Sequence, residues 1–230
     1  MKPDSPQRAR SAAAKQQRER AILDTARSLA TARSVREVTL TDIAAGVGMH
    51  KSAMLRYFET REQIFLALTT EGWQEWSAVL RSRLRDLPGP KSNTGTGNDT
   101  GPDPQAIAAL FAQTLVARPL FCDLLAQAPL NLERNVSLDA AYAFKKVALA
   151  EVASTADVLR GLLGFTEVQA TDVIATATGM AGALWQMAAP GTQLRTLYET
   201  HPDMAHAVVD VEPRLTSILS ALLRGNLTSR

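Results

Sequence analysis

Residues 39–58 read TLTDIAAGVGMHKSAMLRYF, and this stretch decides the fold. Thr39 can cap a short helix, because a threonine oxygen accepts a hydrogen bond from the free amides of a first turn. Asp42 places an anion where the helix dipole favours one, and Gly48 permits the sharp turn that follows. Three apolar residues then fall on the inner side of a second short helix: Met49, Met54 and Phe58. The spacing predicts a helix-turn-helix, whose second helix enters the major groove of DNA.

Longer helices are predicted on both sides of this pair. Upstream, one apolar stripe recurs at three- and four-residue spacing: Ile22, Leu23, Ala26, Leu29 and Ala30. Downstream, Thr60 to Gln63 form a capping box that opens the next helix. The pattern therefore predicts helices over 16–33, 40–46, 50–57 and 61–86.

Two segments, Thr39 to Ala44 and Gly48 to Phe58, resemble the DNA-binding domain of the TetR family of transcriptional regulators. The resemblance covers roughly residues 17–68. It implies an all-α protein in which a three-helix DNA-binding domain precedes a larger helical domain that binds a ligand and dimerises. It also implies a homodimer on palindromic operator DNA, usually a repressor, that a small hydrophobic effector releases.

Ten residues are expected at or near DNA by position in the family motif: Thr39, Thr41, His50, Lys51, Ser52, Ala53, Leu55, Arg56, Tyr57 and Arg61. The family pattern implies phosphate contacts for Lys51 and Tyr57, which fix the register without reading sequence. Arg61 matches the basic residue that begins the fourth helix, where the amides also favour a phosphate. Thr39 is expected to cap its helix and can also donate to a phosphate.

Other positions of the motif lie near base edges in the family, namely Thr41, Ser52 and Ala53. His50 stands where the family often has a serine cap, so it either touches the DNA or only occupies the turn. Leu55 stands where an aromatic residue often approaches DNA. A leucine cannot bind a phosphate but can pack on a thymine methyl group, which predicts an altered operator preference.

The distribution of charge agrees with an N-terminal module that binds a polyanion. Residues 1–62 carry 12 basic and 7 acidic side chains, whereas residues 63–230 carry 13 basic and 16 acidic ones. No apolar segment typical of a secretory signal follows the N-terminus, and a single cysteine, Cys122, suits a reducing compartment. We therefore expect a cytoplasmic protein with no membrane association.

The remainder of the chain is rich in Ala and Leu and lacks β-branched alternation, which favours helices throughout. The predicted helices are 104–117, 119–130, 137–163, 167–188 and 204–224. We expect a basic flexible tail over 1–15, the DNA-binding domain over 16–62, and the ligand-binding and dimerisation domain over 63–230. A flexible loop is predicted over 88–104, where Pro, Gly, Asn, Thr and Ser dominate.

Bulky side chains of the second domain could line an effector pocket between helices. These candidates are Trp73, Trp76, Phe111, Phe121, Leu125, Tyr142, Met180 and Trp185. Such residues also commonly fill a core, so the two interpretations stay open at each position.

Small and apolar residues near the C-terminus are expected to pair with those of a second subunit. They are Gly179, Ala183, Leu215, Ile218, Leu219 and Leu222. In the family such helices form a four-helix bundle between subunits, and the alternative is a place in the core of one subunit.

Enzyme classes receive no support from the sequence. No nucleophile-elbow, zincin or phosphate-loop pattern occurs, and His201 and His206 fall on different faces of a helix. We therefore expect no catalytic residue, no metal and no cofactor. The remaining alternative is a helical scaffold or ligand-sequestering protein whose helix-turn-helix has lost DNA binding.

Overall fold

Ten α-helices build the fold in the computed structural model, which describes residues 6–87 and 102–228. They are α1 (Pro6–Arg33), α2 (Leu40–Gly46), α3 (Lys51–Met54), α4 (Arg61–Arg85), α5 (Pro104–Val116), α6 (Pro119–Gln127), α7 (Leu138–Leu163), α8 (Glu167–Ala188), α9 (Gln193–Thr200) and α10 (Val211–Thr228). Short helical turns of other types lie at Val35–Glu37, Ala128–Leu132 and Pro202–Ala207. The described residues contain no strand, and the all-α fold class is confirmed.

Helix α1 is longer than the sequence pattern predicted. It begins at Pro6, so the segment expected as a flexible tail is helical from that residue, and residues 1–5 lie outside the described part. An Ala-rich run with Gln and Arg has high helix propensity. Lys15 and Glu19, one turn apart, form an ion pair with an N–O distance of 3.7 Å, which further stabilises the helix.

The end of the chain also differs from expectation. The predicted helix over 204–224 is a 3₁₀ turn at Pro202–Ala207 followed by α10. Helix α9 was not predicted; Thr192 caps it, accepting from the Arg195 amide at 3.3 Å. The proposed loop over 88–104 falls outside the described residues up to 101, and Pro104 already opens α5, with Asp103 as its cap.

Helices α1 to α3 form a small module around a shared apolar core. Its fully buried members include Ile22, Val35, Ile43 and Met54. The module is joined to α4 by an ion pair between Arg27 and Glu71, whose closest N–O distance is 2.5 Å. The three helices therefore pack as a unit on the start of the second domain.

The second domain pairs its helices as α4 with α7, α5 with α10 and α6 with α8. A polar cluster lies between α4 and α7, where the Ser77 hydroxyl and Arg81 donate to the Glu151 carboxylate at 2.5 and 2.7 Å. Burial raises the pKa of Glu151, but the two hydrogen bonds and the positive charge of Arg81 together outweigh burial, and the pKa lies below its ordinary value. The cluster ties two long helices together at one level.

No single described helix combines the length and the apolar character needed to cross a membrane. One sharply bent pair of helical segments, Pro104–Val116 with Pro119–Leu132, meets the requirements for a membrane span in length and composition only. Its largest apolar side chains, Ile107, Phe111 and Phe121, are buried within the fold.

Candidate nucleic-acid interface

The start of α2 is fixed by a reciprocal cap. The Thr39 hydroxyl oxygen accepts from the Asp42 amide at 3.1 Å, and the Asp42 carboxylate accepts from the Thr39 amide and hydroxyl, both at 2.8 Å. The backbone hydrogen bond from Thr39 is the main cause that lowers the pKa of Asp42. Because the hydroxyl proton already points at Asp42, a phosphate contact by Thr39 would have to compete with the cap.

A glycine turn separates α2 from α3. Gly48 has a φ of +65°, a conformation that favours glycine, and the Met49 amide then donates to the Ala44 carbonyl at 2.8 Å. The turn thus needs glycine at this position. It sets the angle at which α3 leaves α2.

Helix α3 presents a polar, basic side outward. Five predicted DNA-contact residues of this segment are exposed: His50, Lys51, Ser52, Leu55 and Arg56. Met54 is fully buried, while Ala53 and Tyr57 are half-buried. Thr41 on α2 is exposed as well. The structure therefore leaves the basic groups and hydroxyls of this surface free to meet a nucleic acid.

His50 caps α3. Its Nδ1 lies 2.8 Å from the Ser52 hydroxyl oxygen and accepts from the Ser52 amide at 3.4 Å. Leu55 follows the helix with 54% of its surface exposed, so its apolar side chain is accessible from the side of α3. Both departures from the family motif are thus compatible with an intact recognition helix.

Arg61 begins α4, as expected, but its side chain makes contacts within the subunit. Its guanidinium donates to the carbonyls of Val35 and Val38 and, at 3.0 Å, to the Glu62 carboxylate. It also lies over the Phe65 ring, 4.6 Å from the ring centre. These contacts turn the charge towards the link between α1 and α2, so the expected phosphate contact by Arg61 does not fit this arrangement.

Two family models match the chain at adjoining ranges. A model described as bacterial regulatory proteins of the tetR family matches residues 22–68, and one described as the tetracyclin repressor-like C-terminal domain matches residues 70–230. The chain belongs to the TetR family of transcriptional regulators. The resemblance read from the motif is confirmed, with a DNA-binding domain followed by a helical C-terminal domain.

Several solved structures share this fold. RolR in complex with resorcinol is 16% identical, with a TM-score of 0.55 over 94% of this chain and 90% of its own. The fatty acid degradation regulator FadR from Bacillus halodurans is 12% identical, with a TM-score of 0.53 over 98% and 97%. FadR from Bacillus subtilis, in complex with stearoyl-CoA, is 12% identical, with a TM-score of 0.51 over 91% and 98%. Comparison with curated protein sequences gives no significant match.

Four of the residues expected to bind an effector are instead packed against one another. The ring centres of Trp73 and Trp76 are 5.6 Å apart, and Phe121 lies 5.9 and 6.0 Å from them, while Phe111 lies 6.1 Å from Trp76. The Trp76 indole donates to the Thr114 hydroxyl at 3.1 Å. All four rings are buried. They are core residues of this TetR-family domain and line none of its three described clefts.

The other four effector candidates are scattered. Tyr142 is 71% exposed on α7, and Leu125 is half-buried on α6. Trp185 borders a cleft beside the turn after α8. Met180 alone lines an apolar groove of about 880 Å³ between α8, α9 and α10, together with Met187, Leu194 and Ile218. We name this feature the α8–α10 groove.

The expected dimer residues also divide into two groups. Leu215 and Leu219 are fully buried, because α10 packs on α5 and α8 of its own subunit, so these two belong to the monomer core. Gly179 and Ala183 are exposed on α8, and Ile218 and Leu222 are half-buried on α10. Only this second group is placed to meet another subunit.

One buried polar residue was missed by sequence reasoning. Asp123 is 5% exposed and its carboxyl group accepts from the Val35 amide at 2.7 Å and from the Gln186 side chain at 2.8 Å. A charged residue inside the apolar run Phe121 to Leu125 was the available signal. Among the residues that the structure describes, no three His, Cys, Asp or Glu side chains cluster to hold a metal ion.

Proposed function

We propose that this TetR-family protein is a ligand-responsive repressor that binds palindromic operator DNA as a homodimer. The observation that carries the proposal is the capped and exposed α3 surface on an intact three-helix core. Two such helices in one dimer would enter successive major grooves about 34–36 Å apart. Binding to chromosomal DNA would place the protein in the cytoplasm, and neither expected role requires catalysis, a metal or a cofactor.

The contacts with DNA follow from what α2 and α3 expose. Lys51, Arg56 and the Tyr57 hydroxyl would contact phosphates, which position the module. Thr41, Ser52 and Ala53 would approach base edges, and His50 would stay mainly a cap. Leu55, with more than half of its surface uncovered, would meet a thymine methyl. Arg61 is not included, because its guanidinium already holds the α1–α2 link.

The dimer would form through α8 and α10. Small exposed residues at Ala175, Gly179 and Ala183 allow a second helix to approach closely, and Met187 adds an apolar side chain that is 57% exposed. Helix α9 buries none of its residues within the subunit and exposes Leu194 and Leu197 beside this face. An exposed apolar surface of this kind favours a partner subunit.

A small hydrophobic effector would bind in the α8–α10 groove, at the boundary of the proposed dimer, because Met187 and Leu194 belong both to this groove and to the exposed face that would meet a partner subunit. It would not bind among the aromatic rings. The groove has the volume of a typical ligand site, about 880 Å³, and is lined by Met180, Leu184 and Tyr198. RolR binds resorcinol and the Bacillus subtilis FadR binds stearoyl-CoA in their solved structures, which supports a ligand-binding role for this domain. An effector would act by binding one conformation better than the other.

Selection of bound sequences from a random duplex library tests the proposal. We expect enrichment of a palindrome, and affinity that falls steeply with salt because phosphate contacts release counterions. The Lys51→Ala variant is the matched control, since it removes one cation from the exposed surface and should weaken binding to every sequence. A scaffold protein with a degenerate helix-turn-helix would enrich no sequence and show no salt-sensitive affinity for random duplex.

A further inference from the structure

One buried carboxyl group joins three parts of the chain that are far apart in sequence. Asp123, near the middle of α6, accepts from the Val35 amide at 2.7 Å with one oxygen and from the Gln186 side chain at 2.8 Å with the other. Val35 lies in the link between α1 and α2, and Gln186 lies near the end of α8. We call this pair of hydrogen bonds the Asp123 bridge.

The bridge is costly to break at either end. Asp123 is 5% exposed in a helix whose neighbouring side chains Phe121, Cys122 and Leu124 are apolar and buried. A carboxyl group in such surroundings is tolerated only when donors satisfy its oxygens. Loss of the Val35 amide or of the Gln186 amide group would leave one buried oxygen without its donor. The position of the DNA-binding module and that of α8 are thus both fixed against the same side chain.

Helices α6 and α8 have little freedom to slide against each other. A Cβ atom added at Gly182 would lie 2.8 Å from the backbone nitrogen of Ala126, closer than such atoms approach one another. Gln186 follows Gly182 by one helical turn and therefore lies on the same side of α8. Because α6 and α8 touch here, the Gln186 side chain reaches Asp123, and a shift of α8 moves α6 directly.

The far end of the bridge opens on the α8–α10 groove. Gln186 lines this groove beside Met187, while its amide nitrogen donates inward to Asp123. At the near end, the Val35 carbonyl accepts from Arg61, the first residue of α4. A continuous set of hydrogen bonds therefore runs from the groove to the link that orients α2 and α3.

We propose that Asp123 is the positioning residue that holds the DNA-binding module in register with α8, so that occupants of the groove reach the recognition helices through Gln186. The proposal rests on the function proposed above and adds the residue that carries the regulation. Two half-sites are bound together only when the two α3 helices keep a fixed separation. Loosening the bridge lowers affinity for a full palindrome more than affinity for one half-site.

Exchange of the two polar partners gives a stringent test. Gln186→Glu replaces the donor with a second carboxylate, which cannot donate to Asp123 and repels it. Adding Asp123→Asn supplies a donor that faces the new carboxylate and keeps an acceptor for the Val35 amide, so the double variant Asp123→Asn/Gln186→Glu restores both hydrogen bonds with their direction reversed at one end. Asp157→Asn on the exposed side of α7 is the matched control.

Affinity is measured for the selected palindrome and for a duplex with one half-site, and hydrogen exchange is measured at the Val35 amide. Gln186→Glu should weaken the palindrome about tenfold or more, as expected when a buried group loses its partner, and leave the half-site within about twofold. Exchange at Val35 should accelerate about tenfold, because the repelled Asp123 carboxylate no longer holds the Val35 amide, and the double variant should return both values to near wild type. Asp157→Asn should change neither.

The results distinguish the positioning role of Asp123 from its alternatives. Equal weakening of palindrome and half-site, or a double variant no better than the single one, overturns the positioning role. If Gln186→Glu does not fold, Gln186→Ala decides, since it removes the donor from the side of the exposed groove and should weaken only the palindrome. A wild-type protein that binds no duplex refutes the proposed function instead, and the exchange rate at Val35 still reports whether the bridge exists.

Discussion

Replacing Arg61 with alanine distinguishes a structural arginine from one that binds DNA. The side chain is 15% exposed and its guanidinium donates to two backbone carbonyls, those of Val35 and Val38. A hydrogen bond from a charged donor contributes about 1.5–3 kcal/mol, and solvent reaching the vacated space would replace part of that. We therefore expect Arg61→Ala to lower the free energy of unfolding by about 2–4 kcal/mol. For a chain of this size the melting temperature should fall by about 5–15 °C.

The effect on DNA binding should be small by comparison. Because the guanidinium faces inward, its removal should leave the slope of log affinity against log salt nearly unchanged. Lys51→Ala should do the reverse, since its exposed ammonium group supports no described contact inside the subunit: stability stays at the wild-type level and the slope loses about one unit. Urea unfolding and a salt series on the selected duplex measure both quantities for both variants.

The reasoning fails if Arg61→Ala unfolds at the wild-type urea concentration and yet loses about one unit of salt slope. That result would mean that the guanidinium leaves Val35 and Val38 and turns to a phosphate when DNA is bound. Arg61→Lys gives a further check, because a lysine keeps the charge but cannot donate to both carbonyls in the planar geometry of a guanidinium.

Three further experiments test other contacts. Gly179→Arg has open space in the subunit and should convert the dimer to a monomer in sedimentation, whereas Gly161→Arg, an equally open glycine on α7, should not; a persistent Gly179→Arg dimer would remove α8 from the interface. Gly46→Ala places a methyl group 2.6 Å from Thr25 Cγ2 and should cost about 1–3 kcal/mol in thermal unfolding, with recovery in Gly46→Ala/Thr25→Ser. Cys122 should resist iodoacetamide at pH 8 until urea is added, because burial raises the pKa of its thiol to about 12; rapid labelling of native protein would contradict this.

The DNA-binding module was predictable because its signals are local. Thr39 and Asp42 lie within one turn of each other and cap each other. Gly48 forms the turn through its own backbone angle, without a distant partner. Each of these contacts forms between residues that are close in sequence. The cap by His50 was not predicted, although a histidine nitrogen can accept from the second amide of the helix as a serine oxygen does.

The interior of the second domain was less predictable because its contacts are distant in sequence. Nothing near Trp76 indicates that Phe111 and Phe121 pack on it, and an aromatic residue that fills a core has the same local pattern as one that lines a pocket. The same ambiguity applies to Leu219 on α10. Periodicity gives the apolar face of a helix but does not say whether that face meets α5 or a second subunit.

The division between a DNA-binding domain ending at 62 and a second domain is weaker in the structure than it looks in the sequence. The link between α1 and α2 has its backbone groups satisfied from outside the module, since the Val35 amide donates to Asp123 on α6. Glu71, well inside α4, pairs with Arg27 of α1. A side chain from one part that satisfies the backbone of another makes their positions interdependent, because separating them leaves a buried polar group unpaired. Because these contacts fix α2 and α3 relative to α6, a shift of α6 moves the recognition helices with it. A regulator needs this connection if ligand binding in its second domain is to change its affinity for DNA.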